Sequence, residues 1–170
     1  TTLATFCYAI MFSGCTALTQ APALPATTLA GGCYVGMFGD CASLTQAPAL
    51  PATTLIDLCY YGMFRNCTSL AKAPALPATT LAEGCYYVMF SGCTALTQIP
   101  DLPATTLANT CYQGMFYGCT SLKLCSVKGG EYTIAYRIPS SGTGTTATNA
   151  LAEMFTNTGG MFTGTPDINR

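Results

Sequence analysis

Apolar and polar positions recur along this chain with a period of 26 residues. Residues 29–54, 55–80 and 81–106 have nearly the same order of residue types, and the flanking residues continue it. The repeated positions are leucine (Leu3, Leu29, Leu55, Leu81, Leu107), a first cysteine (Cys7, Cys33, Cys59, Cys85, Cys111), a second cysteine (Cys15, Cys41, Cys67, Cys93, Cys119), Met-Phe (11–12, 37–38, 63–64, 89–90, 115–116) and proline (Pro25, Pro51, Pro77, Pro103). Such a period is typical of a solenoid, in which each unit buries its apolar face against its neighbours.

The first half of each unit predicts a helix of about ten residues. In the fourth unit Leu81, Cys85 and Met89 are spaced i, i+4 and i+8, which places them in one apolar stripe on a helix. Thr80 and Glu83 match a capping box, in which the hydroxyl and the carboxylate bond the first free backbone N–H groups.

The second half of each unit predicts a turn followed by a short extended segment. Leu96 and Ile99 are its inward residues, and Pro100 and Pro103 restrict strand pairing to a few residues because proline has no N–H to donate. The position that ends the predicted helix carries only residues that tolerate a positive φ (Gly14, Asp40, Asn66, Gly92, Gly118).

These patterns predict an α/β solenoid: a leucine-rich-repeat-like, right-handed coil of about five units of 26 residues. Short parallel strands would form one face and short helices the other. Residues 1–122 form the predicted solenoid and residues 123–170, where the period breaks, a C-terminal capping segment. Within this segment 131–138 alternates like a strand, and 150–155 is a short helical stretch.

The motif Leu-x-x-Ile-x-x-x-Pro at 96–103, with Phe90-Ser-Gly-Cys93, resembles the Treponema-type, BspA-like leucine-rich repeats. The likeness covers about residues 1–124. The chain departs from that family in its longer unit, in Met-Phe where Ala-Phe is usual, and in the alanine at several strand-core positions (Ala21, Ala47, Ala73). The resemblance implies an extracellular or cell-surface binding protein, often bacterial, without catalytic residues.

Composition excludes several function classes. The net charge is −1 and the six Lys and Arg residues are scattered, so the chain carries no basic patch for nucleic acid. Thr, Pro, Gly and Gln interrupt every apolar run before it reaches the ~18–20 residues that span a bilayer, so membrane insertion is not predicted.

The chain has eleven cysteines, of which ten follow the period and Cys125 does not. The periodic cysteines occupy positions where a repeat needs core residues, which favours buried free thiols over a disulfide within or between units. A structural metal site is disfavoured because the chain has no histidine and each unit's cysteines lie eight apart.

No constellation in the sequence predicts an enzyme, and no cofactor or metal site is predicted. Without histidine, a Ser-His or Cys-His nucleophile pair is excluded. Asp57 and Glu83 occupy the same position in adjacent units, but each follows a threonine by three residues, so capping explains them better than acid–base catalysis.

The candidate binding surface is an aromatic column and a polar row. Tyrosine follows the first cysteine in each unit, and it either packs against the phenylalanine four residues later or forms a partly exposed strip for carbohydrate or protein. The extended segments would add a row of glutamine amides and threonine hydroxyls, in which Lys72 replaces one glutamine. The candidate residues are Tyr34, Tyr60, Tyr61, Tyr86, Tyr87, Tyr112, Gln20, Gln46, Lys72 and Gln98.

The leading functional hypothesis is a non-enzymatic recognition or adhesion module that binds a protein or glycan. Its location would be extracellular or on a bacterial surface. The alternative is a structural repeat segment of a larger assembly, such as an extracellular filament or a phage tail appendage, in which copies of the chain are partners. The near-identical units and the Gly- and Thr-rich tail favour this alternative.

Overall fold

The computed structural model describes residues 3–124 and 138–160. In this part of the chain each 26-residue unit consists of a block of consecutive turns followed by an extended, proline-rich segment. The two strands of this part of the chain, β1 (Lys123–Leu124) and β2 (Gly159–Gly160), pair in parallel.

Within each block of turns, backbone N–H groups bond alternately inside the unit and to the next unit. The N–H of Cys7 donates to the carbonyl of Ala4 at 3.2 Å, three residues back. The N–H of Tyr8 donates instead to the carbonyl of Cys33, one unit further along the chain, at 2.9 Å. Every second residue therefore closes a local turn, and the residues between them join neighbouring units.

Five such hydrogen bonds join the first two units. Their donors are the N–H groups of Phe6, Tyr8, Ile10, Phe12 and Gly14, and their acceptors are the carbonyls of Gly31, Cys33, Val35, Met37 and Gly39. The same set of five recurs at each later junction up to the one between residues 110–118 and 148–156. Equivalent residues of successive units consequently lie next to one another.

The turns require a left-handed residue at every fourth position. In the second unit Gly32, Gly36 and Asp40 have φ of 59°, 54° and 61°. Each stands third in a four-residue turn closed by a hydrogen bond, the position at which a type II turn needs positive φ. The backbone conformation thus repeats every four residues, instead of the 3.6 of an α-helix, which keeps one side of the segment facing the core.

The predicted ten-residue helices are wrong, because residues 3–124 and 138–160 contain no helix. A helix needs each N–H to reach the carbonyl four residues back, whereas these N–H groups reach three residues back or leave the unit. The predicted capping box is also absent, since the N–H of Glu83 donates to the Asp57 carboxylate at 3.2 Å.

The extended segments touch their neighbours at single parallel bridges. Gln20 pairs with Gln46, Lys72 with Gln98, and Thr54 with Thr80. A proline stands two residues after each member of the Gln20–Gln46 and Lys72–Gln98 bridges, and because it has no N–H, pairing does not spread there into longer strands. Classification of the fold as a solenoid stays a prediction.

The core consists of stacked columns of identical residues. In the second to fifth units both cysteines, the methionine, the phenylalanine and the first tyrosine are buried. Phenylalanine rings form one continuous stack with centroids 5.6 or 5.7 Å apart (Phe12, Phe38, Phe64, Phe90, Phe116, Phe155).

Residues 145–158 add a sixth block of turns to the stack. Thr145 bridges Thr106 in parallel, and Phe155 stacks on Phe116. Asn149, Glu153 and Asn157 have positive φ at the same four-residue interval. The helix predicted at 150–155 is therefore replaced by turns, and the strand predicted at 131–138 lies, except for Ile138, outside the described residues.

Candidate binding surface

The tyrosines that follow the first cysteine are part of the core. Tyr34, Tyr60, Tyr86 and Tyr112 are each at most 2% exposed, so the alternative of a partly exposed strip is wrong for these four residues. Their rings stack on one another, with centroids 5.8 or 5.9 Å apart and planes within 11°. Burial raises the pKa of Tyr34 to about 12 and raises the pKa of Tyr60 and Tyr86 above the ordinary value.

Tyr61 and Tyr87 lie at the surface. Both are half-buried, and their rings meet edge to face at 5.1 Å with an interplanar angle of 82°. Each follows a buried tyrosine and belongs to the turn that places Gly62 or Val88 at positive φ. This pair is what remains of the predicted aromatic strip.

The predicted polar row is exposed along its whole length. Gln20, Gln46, Lys72 and Gln98 are all exposed, and the parallel bridges align Gln20 with Gln46 and Lys72 with Gln98. Equivalent residues in paired strands lie ~4.8 Å apart, so their side chains follow one another at short intervals.

The threonines next to this row have a structural role. The hydroxyl of Thr45 donates to the carbonyl of Thr19 at 3.1 Å, and that of Thr97 donates to the carbonyl of Ala71 at 3.3 Å. Each of these side chains thus joins its unit to the preceding one, while the amide and ammonium groups beside them remain exposed.

Sequence reasoning missed the grooves between successive proline-rich segments. One groove of about 520 Å³ is lined by Lys72, Pro74 and Leu76 on one side and by Ile99 and Asp101 on the other. A second, of about 400 Å³, separates residues 47–51 from residues 74–77. The signal was present in the sequence as the repeated Ala-Leu-Pro, which sets stiff walls at one-unit intervals.

The end of the stack formed by the first unit was also missed. Phe6, Ile10 and Met11 are 55%, 67% and 58% exposed, although Met37 in the next unit is 2% exposed. An apolar cavity of about 590 Å³ opens here, lined among others by Leu3, Tyr8, Phe12 and Met37. The first unit thus presents to solvent the face that later units bury.

The periodic cysteines are free thiols, and eight of the ten are buried, as the sequence predicts. The thiol of Cys67 donates to the carbonyl of Phe38 at 3.1 Å, and the later second-column cysteines do the same toward their preceding unit. Burial raises the pKa of Cys59 and Cys67 to about 12, which keeps both thiols protonated at neutral pH.

In residues 3–124 and 138–160, Cys, Asp and Glu side chains form no group of three that could hold a metal ion. The Asp57 carboxylate accepts the backbone N–H of Glu83, which gives it a role in joining two units. No helix among these residues is long and apolar enough to cross a membrane.

Comparison of the chain with protein-family models, curated proteins and solved structures finds no match.

Proposed function

We propose that this chain is a non-enzymatic recognition module that binds a protein or glycan through the polar row of Gln20, Gln46, Lys72 and Gln98. The observation that carries the proposal is their common exposure at equivalent positions of bridged units. Amide side chains offer both donors and acceptors, which suit sugar hydroxyls or a peptide backbone.

The groove beside Lys72 supports this assignment. Lys72 and Asp101 line it from two successive segments and its other lining residues are apolar, so a bound chain would meet apolar walls that carry two charges of opposite sign. Mostly apolar grooves with a few placed polar groups are the usual form of binding sites.

The resemblance to BspA-like repeats, and with it an extracellular or bacterial cell-surface location, belongs to the same proposal. So does the solenoid architecture, for which the one-unit spacing of hydrogen bonds and ring stacks is the support.

Binding to a printed glycan array and to a panel of extracellular proteins tests the recognition role. The decisive variant is the triple Gln46→Ala/Lys72→Ala/Gln98→Ala, compared with Tyr61→Ser/Tyr87→Ser as a control that alters the half-buried surface pair on the turn blocks. We expect the triple variant to lose the binding that the control retains. The opposite result would transfer the site to the tyrosine pair, and retention by both would refute both surfaces.

A second candidate function is a structural segment of a larger assembly such as a filament or a phage tail appendage. The exposed apolar face of the first unit favours it, because such faces in soluble proteins mark contact sites. Electron microscopy of concentrated protein should show end-to-end particles if copies associate, and isolated particles at all concentrations would contradict this role.

A further inference from the structure

The first unit ends in a row of backbone acceptors. The carbonyls of Thr5, Cys7, Ala9, Met11 and Ser13 accept no backbone hydrogen bond from the described residues. In the second unit all five equivalent carbonyls accept an N–H from the first unit. This edge offers acceptors but no donors, because every second N–H group of the first unit already donates to a carbonyl of the second unit.

Core side chains surround this row of acceptors. Cys7 and Cys15 are exposed, although the equivalent cysteines of the second unit are completely buried. The rings of Tyr8 and Phe12 stack on the second unit through one face. The other face of each ring is available to a further layer of the same kind.

The row of acceptors determines which edge can pair with it. Two copies meeting through this same edge would oppose carbonyl to carbonyl, leaving every acceptor without a donor. A complementary edge must present N–H groups at every second residue. Within the stack, that edge is the one by which each unit contacts its successor.

Side-chain size adds a second requirement. Among the described residues, each large apolar residue at positive φ is followed by glycine in the next unit: Phe6 by Gly32, Ile10 by Gly36, Leu58 by Gly84 and Val88 by Gly114. A Cβ on Gly32 would lie 2.2 Å from the Phe6 ring, and one on Gly84 would lie 2.7 Å from Leu58. Since these side chains extend toward the following unit, a unit placed before Phe6 and Ile10 cannot carry large side chains at the two positions, and glycine meets this requirement, as Gly32 does before Leu58.

We propose that the exposed face of the first unit binds another polypeptide segment of this same repeat, with glycine at both of those left-handed positions. Residues 29–54 have this composition, with Gly32 and Gly36. Their donor edge would pair with the carbonyls of Thr5 to Ser13, and their tyrosine and phenylalanine would extend the two ring stacks. This surface is separate from the polar row, so neither proposal depends on the other.

A synthetic peptide of residues 29–54 tests the proposal in trans with the full chain. Cys7 and Cys15 are the reporters: their alkylation by excess iodoacetamide is followed at each site by mass spectrometry. We expect the peptide to slow alkylation of both cysteines about tenfold or more, with saturation as its concentration rises. The matched control is the peptide with Gly32→Leu and Gly36→Val, which keeps the remaining sequence and should give no protection.

The other outcomes would overturn the proposal. Equal protection by both peptides would show non-specific apolar contact, and no protection by either would show that this face does not bind the repeat. Protection that rises with protein concentration in the absence of peptide would show that a second folded copy covers this face, although its last block carries Asn149 and Glu153 at the two left-handed positions, and would refute the requirement for glycine. The Gln46→Ala/Lys72→Ala/Gln98→Ala variant should be protected like the unaltered chain, which keeps the two surfaces distinguishable.

Discussion

The side chain of Leu58 occupies the space in which Gly84 would carry a Cβ: that atom would lie 2.7 Å from Leu58 Cδ2. Both residues have positive φ, 58° for Leu58 and 57° for Gly84, at the same position of consecutive units. Side chains at this position therefore extend along the stack toward the next unit. This explains why a large residue in one unit is followed by glycine in the next.

Replacement of Gly84 by alanine should destabilise the protein by more than the cost of its backbone conformation. A left-handed alanine costs about 1–2 kcal/mol, part of which is offset by a less flexible unfolded chain. The contact with Leu58 adds to this cost. We expect the free energy of unfolding, measured in urea, to fall by about 2–3 kcal/mol.

Gly62→Ala is the matched control, because Gly62 has φ of 56° and its nearest neighbour, Val88 Cγ2, would lie at an ordinary 3.8 Å. It should show the backbone cost alone. A double variant Leu58→Ala/Gly84→Ala should lose less unfolding free energy than the sum of the losses in the two single variants, because the contact is relieved. Equal losses in Gly62→Ala and Gly84→Ala would contradict the contact between units.

The two adjacent tyrosines, Tyr60 and Tyr61, should respond differently to truncation. Tyr60 is 1% exposed and stacks on a ring at both faces, so Tyr60→Ala should cost about 3–5 kcal/mol of unfolding free energy. Tyr61 is half-buried with one edge-to-face partner, so Tyr61→Ala should cost no more than about 1.5 kcal/mol. Both variants are measured by thermal or urea unfolding. Similar losses of unfolding free energy in the two would mean that the buried tyrosine stack contributes no more to stability than the surface pair.

The sequence alone predicts the period and the core positions, but it misidentifies the local structure. Leu81, Cys85 and Met89 have the spacing of a helical stripe, and equally that of four-residue turns. Four helical residues overshoot a full turn by about 40°, so a stripe repeated every four residues over a long segment should drift around a helix. Over a segment of only ten residues this drift is too small to distinguish a helix from a series of four-residue turns.

A better signal was the interval between glycines. Gly32, Gly36 and Asp40 mark every fourth residue of the second unit, a pattern that is unfavourable inside a helix and suits left-handed turn positions. In other units Leu58 and Val88 conceal this interval. Their conformation is set by hydrogen bonds to the neighbouring units, which no local propensity describes.

The exposure of the candidate residues was predicted correctly where position in the repeat decides it, while their role in binding stays a prediction. Gln20, Gln46, Lys72 and Gln98 are exposed, as the pattern of the extended segment predicts. The burial of Tyr34, Tyr60, Tyr86 and Tyr112 depends on which side of each turn faces the core, and the helical interpretation left both packing and partial exposure open for them.

Stability should fall in alkali because of the buried thiols. Cys59 and Cys67 have pKa values raised from 9.0 to about 12 by burial, so above pH 9 the unfolded chain loses protons that the folded chain retains. Their stabilising contribution is complete below pH about 9 and is lost as the pH rises to about 12. Each such thiol should lower the free energy of unfolding by about 1.4 kcal/mol per pH unit in that interval.

The variant Cys59→Ala tests this cause. It should be less stable at pH 7, because a buried side chain is truncated, yet its stability should fall less steeply between pH 9 and 12. Cys7→Ala, at an exposed position, should leave the slope unchanged. An unchanged slope for Cys59→Ala in urea titrations across this range would assign alkaline unfolding to another group.

Thiol reactivity should follow position in the stack. In a Cys125→Ser background, which removes the one cysteine outside the described residues, iodoacetamide should modify Cys7 and Cys15 in the native protein and all ten periodic cysteines after denaturation. Reaction requires both access and a thiolate, and burial removes both from the other eight cysteines.

Among the buried thiols, Cys33 and Cys41 should react next, before Cys85 and Cys93. A stack opens most readily at an exposed end, and the second unit is covered on one side only by the first, whereas the fourth has three units before it and two blocks after it. Site-resolved alkylation rates at pH 8 measure this order. Equal rates at Cys33 and Cys85 would mean that the stack opens as one cooperative body, and faster reaction at Cys85 would contradict opening from the first unit.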